Sequence, residues 1–297
     1  MSEKIVLIDG HSILNRAFYG IPDLTNAAGL HTNAVYGFLN ILFKILDEEQ
    51  PDYLTVAFDV HAPTFRHKMY AQYKGTRKPM AEELREQVPV IKKMLTAMGI
   101  RIVEKEGYEA DDILGTISRM AQEAGLSVSV VSGDRDLLQL ATERVKIRIP
   151  KTKRTGTEIE DYYAADVLER YQVTPEQFID VKALMGDASD NIPGVPGIGE
   201  KTATNLIVAY GSIENAYAHL EEIKPKRAKE NLKEYYGLAQ LSKTLASIDV
   251  NARISYELPE AKIQDFYTEE AYLLCKELEF KNMLSRFELD TKKSGAE

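Results

Sequence analysis

The chain carries a single cysteine, Cys275, so no internal disulfide framework holds it together, and that scarcity fits a reducing cytoplasm. Within AYLLCKELEF this cysteine reads as a packing residue. No apolar run reaches membrane-spanning length, and the opening MSEKIVLIDG is expected to lead directly into a strand instead of a signal peptide. Histidine is scarce, with five residues, none at metal-ligand spacing. Low-complexity tracts are missing. Positive charge is in deficit as well: 37 Lys and Arg against 46 Asp and Glu give a net charge of −9, which at first sight argues against a nucleic-acid partner.

Distribution qualifies that sum. Arg66, Lys68, Lys74, Arg77 and Lys78 form one run without an acid, and Lys146, Arg148, Lys151, Lys153 and Arg154 form a second. Lys224, Lys226, Arg227, Lys229 and Lys233 make a third, broken only by Glu230. One such run is ordinarily a solvated face. Three of them in an acidic chain suggest grips for a polyanion. A length of 297 residues, 44% hydrophobic and 28% charged, allows two globular domains or one large one.

The first half alternates strand and helix signals. KIVLI (4–8), YLTVAF (53–58), RIV (101–103), SVSVVS (127–132) and VKIRIP (145–150) read as buried strands. Between them, Val35, Phe38, Leu39, Leu42, Ile45 and Leu46 fall at helical spacing, and further helices are predicted over 82–98 and 109–124. Strands separated by helices predict an α/β domain with a parallel sheet covered on both faces. From about residue 172 the chain becomes mostly helical, with Thr174 as N-cap and Pro175 at the first helical position. The expected division is an α/β domain over 1–172, a helical domain over 173–288 and a polar tail over 289–297.

Acidic residues stand out by position. Asp9, Asp59 and Asp134 fall at or just past strand ends, where open α/β sheets bind their ligands. Glu109, Asp111 and Asp112 crowd the mouth of one helix. A single acid there stabilises the helix dipole, but three repel one another beyond what capping requires. Asp136 follows Asp134 around a corner eased by Gly133, and Asp187 and Asp190 come just before a glycine-rich string. Converging carboxylates need cations, and hard oxygen ligands of this kind select Mg²⁺ or Mn²⁺.

Two further segments bear on binding. The stretch 60–81 is basic, carries Tyr70 and Tyr73, and has weak core periodicity. It reads either as a lid or binding element suited to phosphates and bases, or as a surface helical hairpin whose tyrosines pack. MGDASDNIPGVPGIGEKTATNLI (185–207) superficially matches a dinucleotide glycine fingerprint, yet a helix precedes it and no strand does. It reads instead as helix, tight hairpin, helix. Gly194, Gly197 and Gly199 would allow close backbone approach, and Lys201 with the second helix N-terminus would grip a phosphate without reading sequence.

The strings LIDGHSILNRAFYG, AFDVHAPTFRHKMYAQYKGTR, GYEADDILGTI, SGDRDLLQL and GDASDNIPGVPGIGEKTA together resemble the motif series of bacterial 5′-3′ exonucleases in the flap-endonuclease superfamily. The resemblance runs from about residue 4 to 287. It implies a PIN-like nuclease core with a helical arch, then a helical domain with a helix-hairpin-helix motif. It also implies two divalent ions for phosphodiester hydrolysis. Asp111, Asp112 and Asp134 would lie nearest one ion, with Asp9, Asp59 and Glu109 contributing directly or through water, and Asp136, Asp187 and Asp190 would support the second. Arg66, Lys74 and Arg77, with Tyr70 and Tyr73, match the arch, and GVPGIG matches the hairpin that holds duplex DNA, often around K⁺. The implied substrate is DNA with a 5′ flap, nick or 5′ end, in replication and repair such as primer removal. The expected setting is a cytoplasmic, nucleoid-associated monomer, either standing alone or joined to a polymerase.

Three other readings are weaker. A single-strand ribonuclease on a related acidic core has no need of a duplex hairpin. A non-catalytic DNA-binding module leaves the nine acids unexplained. A haloacid-type phosphatase needs a second Asp two residues after Asp9, where this chain has His11.

Overall fold

The structure, a computed structural model, describes residues 1–153 and 155–294. Its sheet has six strands: β1 Lys4–Asp9, β2 Tyr53–Ala57, β3 Arg101–Val103, β4 Ser127–Val131, β5 Val145–Lys153 and β6 Gly156–Tyr162, in the order β3-β2-β1-β4-β5-β6. The first five run parallel, with Ile8 opposite Val56 on one side and Val131 on the other. Ile5, Val6 and Leu7 are fully buried because helices cover both faces, which is why KIVLI is a continuous apolar run without alternation.

β6 departs from the sequence expectation, which closed the series at residue 150. It pairs antiparallel with β5, and its TEIEDY alternation leaves one side to solvent and to the cations of β5. An edge strand with half its side chains charged carries little hydrophobic signal.

β1 lies between β2 and β4, so the crossovers leave it in opposite directions and open a crevice at the carboxyl ends of β1 and β4. On one face the helices Asn33–Glu49 and Gln87–Ala97 bury Phe38, Leu42, Ile91 and Leu95. On the other, the helix Ala110–Glu123 buries Ile113, Leu114 and Ile117.

The helices Pro175–Met185 and Glu200–Tyr210 flank the glycine-rich hairpin and build a separate core with Leu184, Ile198, Leu206 and Leu232. The last two helices, Glu269–Glu277 and Lys281–Ser294, return to the sheet, where Ala271, Leu274, Cys275 and Phe280 pack in the same cluster as Phe38. The polar tail expected from 289 is therefore a continuation of that helix to Ser294, and residues 295–297 lie outside the described residues. No helix among the described residues is long and apolar enough to cross a membrane.

The segment 60–81 is helical only over Phe65–Met69 and otherwise a series of turns. It is folded down onto the hairpin domain: Lys74 N donates to Asp190 O at 2.7 Å, and Asn191 Nδ2 donates to Gln72 O at 2.7 Å. Tyr73 is buried with Ile192 and Leu245, so the packing reading holds for this tyrosine and base stacking does not.

Candidate active site

Asp9 ends β1 and caps the helix Gly10–Gly20, accepting from Ser12 N at 3.3 Å, while Ser132 Oγ donates to its second oxygen at 2.8 Å. That serine follows β4, so one hydrogen bond spans the crevice. Asp59, just past β2, accepts from Ala110 N at 2.8 Å and thereby tethers the helix mouth. Asp134 caps the short 3-10 turn Arg135–Leu140 and accepts from Asp136 N at 2.8 Å. Gly133 contributes close approach and not backbone freedom: its N donates to Ser12 Oγ at 2.8 Å, and a Cβ would sit 3.1 Å from that oxygen.

Asp9, Asp59, Glu109, Asp111 and Asp134 line one open cavity of about 600 Å³. Burial, and then the charge of Asp59, push the Asp9 carboxyl up to about 7. Burial and the neighbouring Asp134 and Asp9 raise Asp111 well above the usual carboxylate range. Burial also raises Asp134, against the Asp136 amide and Lys182. Carboxylates held this way are electrostatically uncompensated, which is the signature of a cation site.

Asp112 does not join them. It is fully buried, its oxygens accepting from Arg66 Nη1 and Nη2 at 2.8 Å each, from Glu109 N at 3.0 Å and from Asp249 N at 2.9 Å. These donors use the carboxylate's acceptor positions, so the expected place of Asp112 next to an ion is corrected: it is the buried partner of Arg66. The same geometry corrects Arg66, which was expected to clamp a DNA strand. Its guanidinium also donates to Glu109 Oε2 at 2.5 Å and to the carbonyls of Leu245 and Ser247 at 2.9 and 2.7 Å. It is an internal brace tying the helix mouth to the helical domain.

A second group assembles across the two halves of the chain. One carboxylate oxygen each from Asp136, Asp187 and Asp190 lies within 4.8 Å of the others. Lys182 Nζ bonds to Asp136 and lies 2.8 Å from Asp187 Oδ2. Burial and Asp134 push Asp136 up to about 7, whereas at Asp187 the burial effect is outweighed by Lys182 and Ser189, which hold it down at about 2. Lys74 pairs with Glu109 and Arg77 with Asp190, so two arch cations reach the acids directly. Tyr73 donates to Glu109 Oε2 at 3.0 Å, and Tyr70 packs against the same small apolar cluster.

The hairpin also sorts its residues. Gly194 and Gly197 have φ of +62° and +79°, and a Cβ on Gly194 would meet Gly186 N at 2.4 Å. Gly199 needs no such freedom, since a Cβ there meets nothing within 4 Å. Lys201 is exposed one residue into the following helix, and Arg227 of the third basic run packs beside Gly197 together with the uncharged Asn231. The second basic run is corrected: Lys146 and Arg148 pair with Glu49, Lys151 with Glu160 and Lys153 with Glu158, so these cations neutralise local acids. Arg154 lies outside the described residues.

Sequence reasoning missed Lys182, buried between two acids, and Ser12, Arg16 and Tyr19, which line the cavity. The latter three share one helix face directly after Asp9, a spacing visible in the sequence.

A parallel PIN-like core, a carboxylate-lined crevice at its switch point and an attached helix-hairpin-helix domain together define a nuclease. The 5′-3′ exonuclease N-terminal resolvase-like domain matches residues 4–172, and the 5′-3′ exonuclease C-terminal SAM fold matches residues 173–269. The chain belongs to the 5′-3′ exonuclease family. DNA polymerase I of Bacillus caldotenax is 48% identical over 97% of this chain, and that of Bacillus subtilis (strain 168) 45% identical over 97%. The chain spans about a third of the length of these relatives, 33% in each case. Among solved structures, the bacteriophage T5 flap endonuclease complexed with DNA and metal ions shares the fold at a TM-score of 0.67 and 22% identity, covering 98% of each chain. T5 5′-exonuclease with bound zinc aligns at 0.68 and 22% identity, over 94% of this chain and 98% of that one.

Proposed function

We propose that this chain is a structure-selective 5′ nuclease, hydrolysing DNA phosphodiesters at 5′ flaps, nicks and 5′ ends in replication and repair. The observation that carries the proposal is the meeting of Asp136 with Asp187 and Asp190, which brings two acids of the hairpin domain to one of the α/β domain. The residues fit divalent ions: Asp9, Asp111, Asp134 and Asp136 all have raised carboxyls, and oxygen donors predominate. Asp9, Asp59, Glu109, Asp111 and Asp134 would hold one Mg²⁺ or Mn²⁺, and Asp136, Asp187 and Asp190 the second. Bound there, the ions supply Lewis-acid charge for activating water and for the leaving 3′ oxygen.

The chain's own residues do the remaining work. Lys74, Arg77 and Lys182 stand among the acids and would exchange those partners for substrate phosphates. Lys201, beside the hairpin glycines, would hold the duplex, with K⁺ at the hairpin carbonyls resting on the resemblance of GVPGIG alone. A polymerase, as a following domain or a separate protein, belongs to the same proposal.

The test is digestion of a 5′-labelled flap duplex with and without Mg²⁺, alongside an RNA single strand. Metal-dependent cutting of the flap is expected; cutting in EDTA, or preference for the RNA, would overturn the reading. Lys201→Ala should weaken duplex binding and reduce the slope of log K against log salt by about 1. An unchanged slope removes Lys201 from the phosphate contacts.

The raised carboxyls also predict a pH dependence. A folded-state pKa raised above the unfolded value means that the folded protein binds the extra proton, so the contribution of these carboxyls to stability is fully present below the ordinary carboxylate range. It should fall as pH rises towards the value of about 7 that Asp9 and Asp136 reach. Thermal midpoints in EDTA should therefore decline from about pH 5 to pH 7, and saturating Mg²⁺ at pH 7 should restore roughly 2–3 kcal/mol. Asp9→Asn should flatten the decline; a decline as steep as in the parent protein would refute this assignment.

A further inference from the structure

A second cavity lies apart from the carboxylate crevice. It holds about 660 Å³ and opens at the seam between the two domains, where the 3-10 turn after β4 meets the helices Pro175–Met185 and Glu200–Tyr210. Its lining carries four cations, Arg135, Arg170, Lys182 and Lys201, against only Asp136 and Glu200. Among the described residues neither Arg170 nor Lys201 has an ion-pair partner, so the cavity has positive charge to spare. Apolar and aromatic residues of the same lining include Tyr171, Phe178 and Met185. Tyr171 is held in place from both sides: its hydroxyl bonds to Arg135, and its ring stacks edge-on to Phe178 with centroids 5.4 Å apart. The Arg170 guanidinium lies 5.9 Å from the same ring.

A site of this size with a flat aromatic wall and unpaired cations suits an anion joined to a planar apolar group. We infer that this cavity binds a 5′-phosphorylated nucleotide, its phosphate towards Lys201 and Arg170 and its base on the Tyr171 wall. Asp136 lines the cavity and also belongs to the second carboxylate group, and Lys182, also in the lining, pairs with it, so the site shares a wall with the proposed reaction centre. The inference rests on the 5′ nuclease reading for its ligand: hydrolysis with the 3′ oxygen leaving puts the new phosphate on a 5′ carbon. The nucleotide is either a released mononucleotide or the 5′ residue of the cut strand, and the chemistry recognised is the same.

The test is calorimetric titration of the whole chain in EDTA with dAMP, inorganic phosphate and deoxyadenosine. Because aromatic stacking adds to the ionic contact, dAMP should bind at least about tenfold tighter than either fragment. Met185→Trp, which adds bulk to the cavity lining, and Arg170→Ala should each weaken dAMP at least about fivefold while leaving Mg²⁺-dependent flap cleavage unchanged. Equal binding of dAMP and phosphate, or dAMP affinity undiminished by Met185→Trp, would overturn the site. If dAMP binds as expected but the parent protein cuts no flap, the site stands and the 5′ nuclease reading falls. Comparing a nicked duplex bearing a 5′ phosphate with one bearing a 5′ hydroxyl separates the sources. Loss of the phosphate preference in the two variants assigns the cavity to the strand, and a preference they leave intact assigns it to free mononucleotide.

Discussion

Asp134→Asn is expected to lower flap cleavage in Mg²⁺ by at least about a hundredfold, because altering even the groups behind a metal ligand costs 10–100-fold. Asp134 is the acid that joins the two carboxylate groups. It lines the cavity with Asp9 and Asp111, and after burial its charge contributes most to raising Asp136. The substitution should not unfold the protein. Asparagine keeps a side-chain oxygen to accept from Asp136 N, and removing one charge relieves repulsion within the cluster. DNA binding should stay nearly unchanged, since the grips proposed for it, Lys74, Arg77, Lys182 and Lys201, remain in place. Activity of the folded variant equal to that of the parent would remove Asp134 from the metal site.

Arg66→Ala should have the largest effect on stability. Asp112 is fully buried and Arg66 is 2% exposed, so alanine leaves an ionised carboxylate in the interior without its counter-charge. Breaking a buried pair from one side typically costs about 3–5 kcal/mol. For a chain of this size that corresponds to a fall in thermal midpoint on the order of 10 °C. The carbonyls of Leu245 and Ser247 lose their donors as well, so the helical domain should loosen against the helix mouth. Arg66→Lys keeps the charge but not the two-pronged fork, and an intermediate midpoint is expected. A loss below about 1 kcal/mol would show that Arg66 is a surface cation and not a brace.

These two cases mark the boundary between what the residues reveal and what packing decides. Strand-end positions were legible because a parallel strand buried on both faces is a continuous apolar run, and KIVLI, YLTVAF and SVSVVS each stop where Asp or a Ser-Gly-Asp corner begins. The hairpin was legible because Gly194 and Gly197 adopt a backbone that other residues rarely tolerate. β6 was not, because an edge strand that alternates charge with apolar residues looks like a polar loop. Nor was the division of labour among cations. Arg66, Lys74 and Arg77 look equivalent in a basic run, yet one is interior, one bonds to Glu109 and one to Asp190.

By itself the sequence determined the α/β core, the helix-hairpin-helix element, and the set of acids proposed for a cation site, because each depends on local periodicity, turn chemistry or position along a strand. Only the tertiary structure decided which acids share a cavity, that Asp112 leaves them for Arg66, that Lys182 sits between Asp136 and Asp187, and that the second basic run is spent on local acids. The first two outcomes turn on contacts distant in sequence, as in the 46-residue separation of Arg66 from Asp112 and the 179-residue separation of Arg66 from Leu245, whereas Lys151 and Lys153 meet acids across one β-hairpin. A charge's role depends on burial and on the partner it meets, and neither is encoded by its neighbours in the chain.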